Sequence, residues 1–328
     1  MGNDRTVTLQ PHFRAASRLA CEALIARATL AAQVLPPARE GVAFRLFWED
    51  GSARDAHAPL AFADLHAEDH LVVGRHTECD VRLSDPSVAL RHVLVRARVT
   101  DGRAALLVSD LATDAGFRVG PLQADSRGAS CDGPTVIGVS THLLVALPTI
   151  ATGTADESAL RPRVVDADPE LAHPIAHDRA ALAVRTQIDL VSRTLVRPFA
   201  PPLPVEILAS SERPFARLAL RGPEGRVVIA PSRADLEALL LVGRYPRCRH
   251  GELTPFSTRV SRVHAAIARE GDALHVIDLA STNGLATRTA DGVVSARAVR
   301  VTSRASIRLG GSTDRLDVEL VGRDDEEA

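Results

Sequence analysis

The stretch ALHVIDLASTNGLATR, residues 273–288, joins two apolar runs through a short polar loop. The centre of that loop is Ser281-Thr282-Asn283-Gly284. A hairpin needs only the Asn-Gly pair, because both residues tolerate the positive φ of a two-residue turn. Ser281 and Thr282 are therefore additional hydroxyl groups on an exposed loop. For Ser281 alone, turn capping is the simpler interpretation, so only the residues around it can indicate a ligand.

The composition describes a globular protein of about two domains, with ~150 residues per domain as the guide. The chain has 328 residues, 45% of them hydrophobic, and a formal net charge of −2. This charge gives no electrostatic basis for binding nucleic acid, and one Trp and one Tyr offer no stacking surface for single strands. The cysteines have neither zinc-ligand nor disulfide-framework spacing, which favours a reducing compartment. The sequence therefore predicts no metal site and no cofactor.

The most apolar N-terminal run, LACEALIARATLAAQVL, is interrupted by Glu22 and Arg27. It is too short and too charged to span a bilayer. It predicts an amphipathic helix near residues 12–35, before Pro36-Pro37. We therefore expect no membrane insertion and a cytoplasmic location.

Two regions alternate apolar and polar residues and are broken by turns at short intervals, a pattern typical of β-rich domains. The Pro-rich segment between them predicts one helix near Asp178 to Val196, and loose coupling of the two domains is the default expectation for such a linker. The sequence thus predicts an all-β protein. The predicted segments are a helical N-terminus at 1–40, a β-domain at 41–148, a linker at 149–212, a β-domain at 213–322 and an acidic tail at 323–328.

The two β-rich regions also repeat each other. Residues 70–99 and 106–120 align with residues 239–270 and 274–288. In both regions an apolar strand ends in Gly-Arg, a loop ends in a His that opens the next strand, and a third strand ends in Asp-Leu-Ala. Duplication is the simple explanation, so differences within the shared frame are informative.

The loops of the second repeat carry Arg244, Ser261, Arg262, Thr282 and Asn283. If consecutive strands bring these loops to one end of a sandwich, the loop side chains together supply two guanidinium groups, two hydroxyls and a carboxamide. No carboxylate stands among them. Such donors suit a phosphate, because a phosphorylated side chain carries about −1.5 to −2 charge and three acceptor oxygens.

These residues resemble the forkhead-associated (FHA) domain family. The family pattern of Gly-Arg, Ser-x-x-His and Asp-Leu-x-Ser-x-Asn-Gly stands at Gly243-Arg244, Ser261 to His264 and Asp278 to Gly284. FHA domains are β-sandwiches that bind phosphothreonine peptides through their loops. The resemblance covers residues 214–322. Because the first β-domain repeats the same frame, the resemblance implies that it is FHA-like as well, so two FHA-type sandwiches are expected.

By motif position, the resemblance implies that Arg244 and Ser261 bind the phosphate and that Arg262 and Thr282 assist them. Asn283 is expected to hydrogen-bond the peptide backbone after the phosphothreonine. Selectivity for phosphothreonine over phosphoserine is likewise an expectation from the family. Structural roles in the loops fall to Gly243, His264 and Gly284.

The first repeat keeps Gly74-Arg75 and the motif histidine but has lost the donors. Ala89 takes the place of the serine, and Asp114 and Ala115 take the places of the threonine and the asparagine. A carboxylate ~5 Å from a phosphate, at an effective dielectric of ~20, opposes each unit of its charge by roughly 3 kcal/mol. We therefore predict that the first domain does not bind phosphothreonine and that Asp114 neutralises Arg75.

The main rival functional classes are an enzyme and a scaffold protein. The sequence contains no Walker A loop, GxSxG elbow, HExxH motif or kinase signature set, so we predict no catalysis. The remaining alternative is a phosphate-independent scaffold, in which both sandwiches are assembly surfaces and the N-terminal helix docks a partner or a second copy.

The Ala- and Arg-rich composition resembles that of proteins from GC-rich bacteria, in which FHA domains commonly read the products of Ser/Thr kinases. The resemblance therefore implies an adaptor in kinase signalling. Its expected partner is a phosphothreonine-containing protein, either a Ser/Thr kinase or a kinase substrate, and the first domain is expected to be a non-phospho interaction module.

Overall fold

The computed structural model describes residues 18–36, 38, 41–49, 60–67, 69–100, 102–113, 115–120, 128–149, 196–198, 213–237, 239–245, 248, 255–289, 292–310 and 313–321. Three sequence predictions fall outside these ranges. They concern Asp114, the linker helix predicted near Asp178 to Val196, and the acidic tail at 323–328. Of that helix only Val196 is described, and it begins a strand.

The predicted all-β fold class is confirmed, because strands make up most of the described residues. Two helices occur within them, α1 (Arg18–Val34) and α2 (Arg233–Glu237). The strands of the first sandwich are β1 (Val42–Glu49), β2 (Leu60–His66), β3 (His70–Gly74), β4 (Val81–Arg82), β5 (Val93–Thr100), β6 (Arg103–Asp110), β7 (Arg118–Val119), β8 (Gly128–Cys131), β9 (Thr135–Val139), β10 (His142–Pro148) and β11 (Val196–Pro198). The strands of the second sandwich are β12 (Ala216–Gly222), β13 (Gly225–Ile229), β14 (Leu240–Val242), β15 (Ala265–Glu270), β16 (Ala273–Asp278), β17 (Leu285–Thr289), β18 (Gly292–Ala296), β19 (Ala298–Val301), β20 (Arg304–Leu309) and β21 (Arg315–Leu320).

The first sandwich packs two sheets, with strand orders β2-β1-β10-β9-β7 and β11-β8-β6-β5-β3-β4. Alternate residues of each strand point into the space between the sheets, so Phe44 and Leu46 of β1 share one core with Leu106 and Val108 of β6. Strand β11 comes from the linker and pairs antiparallel with β8. The linker therefore returns to the first sandwich before the second one begins.

The second sandwich has strand orders β13-β12-β21-β20-β17-β18 and β14-β15-β16-β19. Its first sheet repeats the order of β2-β1-β10-β9-β7, and its second repeats β3-β5-β6-β8. The sequence repeat is therefore also a repeat of topology, and each motif occupies the same place in its own sandwich.

Helix α1 packs on the outer face of the first sandwich. Its apolar residues Cys21, Leu24, Ile25 and Ala28 follow helical spacing and are buried against a sheet that includes Phe47. The predicted N-terminal helix is confirmed. The scaffold alternative assigned this helix to a partner or a second copy, but the chain itself covers its apolar face. No helix within the described ranges is long and apolar enough to cross a membrane.

The two sandwiches also pack against each other through a shared apolar cluster. Strands β3 and β5 contribute Val72 and Leu94, while β14, β15 and β16 contribute Leu241, Ala266 and Ile277. These side chains point away from the cores of their own sandwiches. The expectation of loosely coupled domains is therefore wrong, because the outer faces of these two sheets are apolar and cover each other.

Charged contacts border this apolar cluster. Arg96 of β5, which is only 3% exposed, lies 3.5 Å from Glu270 of β15. Burial lowers the pKa of Arg96 to about 10, so it stays charged at neutral pH. A second pair joins Arg297 to Asp80 at 2.6 Å. Both pairs join one sandwich to the other.

Candidate phosphopeptide site

Three loops of the second sandwich meet at one edge of the sheet that contains β14, β15 and β16. These strands are antiparallel neighbours, so the end of β14, the start of β15 and the end of β16 lie side by side. The same three loops carry the Gly-Arg, Ser-x-x-His and Asp-Leu-x-Ser-x-Asn-Gly motifs. The topology thus brings together residues that are 40 positions apart in the sequence, from Gly243 to Asn283.

The first two loops approach too closely for any side chain at Gly243. A Cβ atom there would lie 2.2 Å from the carbonyl oxygen of Arg262, well inside van der Waals contact. The backbone N–H groups of Arg244 and Tyr245 donate to the carbonyls of Ser261 at 3.2 Å and Arg262 at 2.8 Å. Gly243 therefore permits the backbone contact that sets Arg244 beside Ser261.

His264 holds the second loop to the third from inside the domain. It is fully buried, its Nδ1 accepts from the N–H of Ser261 at 3.0 Å, and its Nε2 lies 3.0 Å from the carbonyl oxygen of Gly284. Since Nδ1 accepts, the neutral ring carries its proton on Nε2 and donates to Gly284. Burial lowers the pKa of His264 to about 4, so it is neutral at pH 7.

The third loop is a capped turn. Ser281 is buried and its Oγ accepts from the N–H of Gly284 at 2.9 Å, while the carboxylate of Asp278 accepts from the N–H of Ser281. Gly284 has φ +69°, which a glycine adopts without strain. Ser281 is thus a turn-capping hydroxyl, as its position in the sequence indicated, and Thr282 is the hydroxyl that remains exposed.

The donor side chains surround one space at the ends of these loops. Arg244 is half-buried, and its Nε donates to the carbonyl of Val260 at 2.6 Å, which fixes the guanidinium and leaves its two terminal nitrogens for a ligand. The Oγ of Ser261 accepts from the N–H of Thr282 at 3.2 Å and keeps its own proton to donate. Arg262 is exposed beside them. These groups are arranged as donors to an oxyanion.

Asn283 is exposed, and its side chain is oriented by the second loop. Its Nδ2 donates to the carbonyl of Arg259 at 2.7 Å. This contact holds the carboxamide at the rim of the space lined by the donors. The sequence prediction did not include Arg259, although it stands only three positions before Arg262.

Residues 240–310 match the family model of the FHA domain. This part of the chain is an FHA domain. The solved structures to which the chain is similar include FHA domains. One is the FHA domain of the CT664 protein from Chlamydia trachomatis, with 21% identity, a TM-score of 0.27, and coverage of 32% of this chain and 96% of that one. A comparison with curated proteins found no match.

Two further structures contain a bound partner. The FhaA FHA domain, complexed with the intracellular domain of Rv3910, is 23% identical over 31% of this chain and 98% of that chain, with a TM-score of 0.24. The MEK1 FHA domain, in complex with a HOP1 phosphothreonine peptide, is 18% identical over 31% of this chain and 95% of that chain, with a TM-score of 0.25.

The first sandwich reproduces the loop framework of the FHA domain in detail. His92 is fully buried, its Nδ1 accepts from the N–H of Ala89 at 3.1 Å, and its Nε2 lies 2.7 Å from the carbonyl oxygen of Gly116. A Cβ atom at Gly74 would lie 2.4 Å from the carbonyl oxygen of Leu90. In the FHA domain, His264 makes the corresponding contacts with Ser261 and Gly284, and Gly243 makes the corresponding close approach to the carbonyl of Arg262.

The donors of the FHA domain have no counterparts in the first sandwich apart from Arg75. Ala89 occupies the serine position and has no hydroxyl, and Ala115 occupies the asparagine position and has no carboxamide. The predicted pairing of Asp114 with Arg75 lies outside the described residues. The Nε of Arg75 donates to the carbonyl of Val88 at 3.2 Å, the same contact that Arg244 makes with Val260.

Arg91 is a functional candidate that the sequence did not reveal. It belongs to the first sandwich, yet its guanidinium donates to the carbonyls of Leu279 and Ala280 in the FHA domain, with Nε 3.2 Å from the Ala280 oxygen. Leu279 and Ala280 immediately precede the capped turn. The first sandwich therefore holds the loop that presents Thr282 and Asn283.

Loops of both sandwiches line one groove, with a volume of about 590 Å³. Its lining includes Arg75, Arg91, Arg244, Arg259 and Arg262. No carboxylate lines the groove within the part of the chain that the structure describes. Although the net charge of the whole chain is −2, this groove is locally cationic and suits an anionic ligand.

Proposed function

We propose that the FHA domain of this chain binds phosphothreonine peptides, with the phosphate held by Arg244 and Ser261 and assisted by Arg262 and Thr282. The observation that supports this proposal is the convergence of these donors on a groove whose described lining contains no carboxylate. Arg244 has its Nε anchored on a carbonyl, so its terminal nitrogens are positioned to bind two phosphate oxygens at once.

The donor set is sufficient to make binding depend on the phosphate. A hydrogen bond to a charged group contributes about 1.5–3 kcal/mol, and a micromolar complex has about 8 kcal/mol in total. Three such contacts would supply about half or more of that total. An unmodified threonine hydroxyl offers none of the charge-assisted contacts, so its peptide should bind far more weakly.

The remaining polar groups would orient the peptide. Asn283 stands at the rim with its carboxamide fixed by Arg259, and we propose that it hydrogen-bonds the peptide backbone beside the phosphothreonine. Selectivity for phosphothreonine over phosphoserine is part of the same proposal and follows from the family rather than from a feature of this groove.

The proposed cellular role is that of a cytoplasmic adaptor in Ser/Thr-kinase signalling, without catalytic activity. The partner would be a phosphothreonine-containing protein, either a kinase or a kinase substrate. The first sandwich, with Ala89 and Ala115 in place of donors, would not bind phosphothreonine in the family manner and would act as an interaction module.

An oriented phosphothreonine peptide library screened against the full chain tests this proposal. Arg244→Ala should lower affinity for the selected peptides by about 10-fold or more, and Arg244→Lys should restore only part of it, because a single ammonium cannot reproduce a planar fork on two oxygens. Arg226→Ala is the matched control, since Arg226 is exposed on β13 and does not line this groove.

Equal affinity for phosphorylated and unphosphorylated peptides would contradict the proposal and favour the phosphate-independent scaffold. Retention of wild-type affinity by a folded Arg244→Ala variant would contradict the assignment of the site while leaving phosphopeptide binding in place. Circular dichroism of each variant establishes that the fold is intact.

A further inference from the structure

We infer that the two sandwiches form a single recognition groove, in which Arg75 of the first sandwich binds a second anionic group on the same peptide whose phosphothreonine contacts Arg244. The second group is a carboxylate or a phosphate, since both present the oxygen pairs that a guanidinium binds. This inference rests on the proposed function of the FHA domain and extends it to the part of the ligand that the domain alone does not reach.

Arg75 is oriented for a ligand in the same way as Arg244. Its N–H donates to the carbonyl of Ala89 at 3.0 Å, and its Nε donates to that of Val88 at 3.2 Å. These contacts hold the guanidinium at the groove while its terminal nitrogens remain available. Arg75 is exposed and makes no ion pair with any residue that the structure describes. A peptide anion would compete for it with Asp114, the neutralising partner predicted from the sequence.

The surroundings of Arg75 favour an anion presented by a flanking residue rather than a phosphothreonine of its own. Ala89 has replaced the hydroxyl beside it, and Leu90, which is 42% exposed, stands where the FHA domain has Arg262. A single oriented cation next to an apolar side chain cannot enclose a phosphate with several donors. It can still bind one face of a carboxylate or phosphate on a peptide anchored elsewhere.

The packing between the sandwiches gives the two cations a fixed separation. The apolar cluster that includes Val72 and Leu241 and the contacts of Arg91 with Leu279 and Ala280 join the loops directly. A peptide held at Arg244 therefore presents its second anion to Arg75 as an intramolecular event, and the gain should depend on the spacing of the two groups along the peptide.

The test is calorimetry on the full chain with three matched sets of phosphothreonine peptides. One set has no second anion, one has a Glu, and one has a second phosphoresidue, placed in turn at each position from two to six residues on either side. At one favoured spacing, the second anion should raise affinity by about fivefold, the upper range for an exposed charge pair. Arg75→Gln should remove this gain and leave the singly phosphorylated peptide within about twofold of wild type.

Arg103→Gln is the matched control, because Arg103 is exposed on the first sandwich at the start of β6 and does not line the groove. Its variant should keep the full gain. A gain from Glu assigns the second group as a carboxylate, and a gain only from the second phosphoresidue assigns it as a phosphate; either result supports the inference.

Four outcomes would overturn the inference. No gain at any spacing, or a gain that survives Arg75→Gln, would remove Arg75 from the site while the proposed function stands. An equal loss in Arg103→Gln would show general charge attraction instead of a site. Absence of binding by every phosphopeptide would overturn the proposed function, and the inference with it.

Discussion

Replacement of Arg91 by Ala should weaken phosphopeptide binding even though Arg91 belongs to the first sandwich. The guanidinium of Arg91 donates to the carbonyls of Leu279 and Ala280, and these residues lead directly into the turn that presents Thr282 and Asn283. The variant removes the donor and leaves both carbonyls in a partly buried interface.

The magnitude follows from these contacts. Hydrogen bonds from a charged donor contribute about 1.5–3 kcal/mol, and Arg91 is only half-buried, so the free energy of unfolding should fall by about 2 kcal/mol. If the turn also becomes mobile, ordering one of its residues again on binding costs about 1–2 kcal/mol, which corresponds to about a 5- to 30-fold loss of affinity.

Urea unfolding and calorimetry on the full chain measure the two effects separately. Arg91→Lys should recover part of the stability, because it keeps the charge but not the planar fork, and Arg103→Ala on the same sandwich should change neither quantity. Unchanged stability and affinity in Arg91→Ala would refute the reasoning. A loss of stability with unchanged affinity would show that Arg91 joins the sandwiches without positioning the turn.

Gly243→Ala should lower the free energy of unfolding by about 3 kcal/mol or more, because its Cβ would lie 2.2 Å from the Arg262 carbonyl oxygen and the backbone would have to move. Gly271→Ala is the control, because Gly271 has φ +60° but nothing lies within 4 Å of a new Cβ. Its free energy of unfolding should fall by only about 1–2 kcal/mol. An equal effect of the two substitutions in urea unfolding would contradict the steric argument. Burial lowers the pKa of His264 to about 4, below its unfolded value of about 6.5. Protons therefore bind the unfolded chain more tightly, and the free energy of unfolding should fall as the pH drops from about 6.5 to about 4. His264→Gln should make this fall shallower by up to about 1.4 kcal/mol per pH unit, whereas parallel pH profiles of the wild type and the variant would mean that His264 does not titrate as described.

The second sandwich and its loops were predictable from the sequence because the signals are local. Period-two alternation of apolar and polar residues predicted the strands. Gly243, Gly284 and the buried His264 stand at positions where close backbone contact, positive φ or burial allows few other residues. The bonds of His264 to Ser261 and Gly284 follow the order of the motifs along the chain. The first sandwich was predictable for the same reason, since its framework contacts repeat those of the FHA domain.

The packing between the sandwiches was not predicted, because it depends on side chains that point away from their own core. The sequence did contain a signal. Leu71-Val72-Val73 and Leu240-Leu241-Val242 are unbroken apolar runs, and every residue in them is buried. Such runs are typical of strands covered on both faces, whereas a sheet with one face in water alternates. Arg91 gave no comparable signal, since an arginine bound to carbonyls in another domain looks like a surface arginine in the sequence.

The most direct test of the central claim is calorimetric titration of the full chain with one library-selected peptide in its threonine and phosphothreonine forms. The account predicts micromolar binding of the phosphothreonine form and at least about 100-fold weaker binding of the unmodified form, equivalent to about 3 kcal/mol from the charge-assisted contacts of Arg244 and Ser261. Affinities for the two forms that agree within about twofold would contradict it.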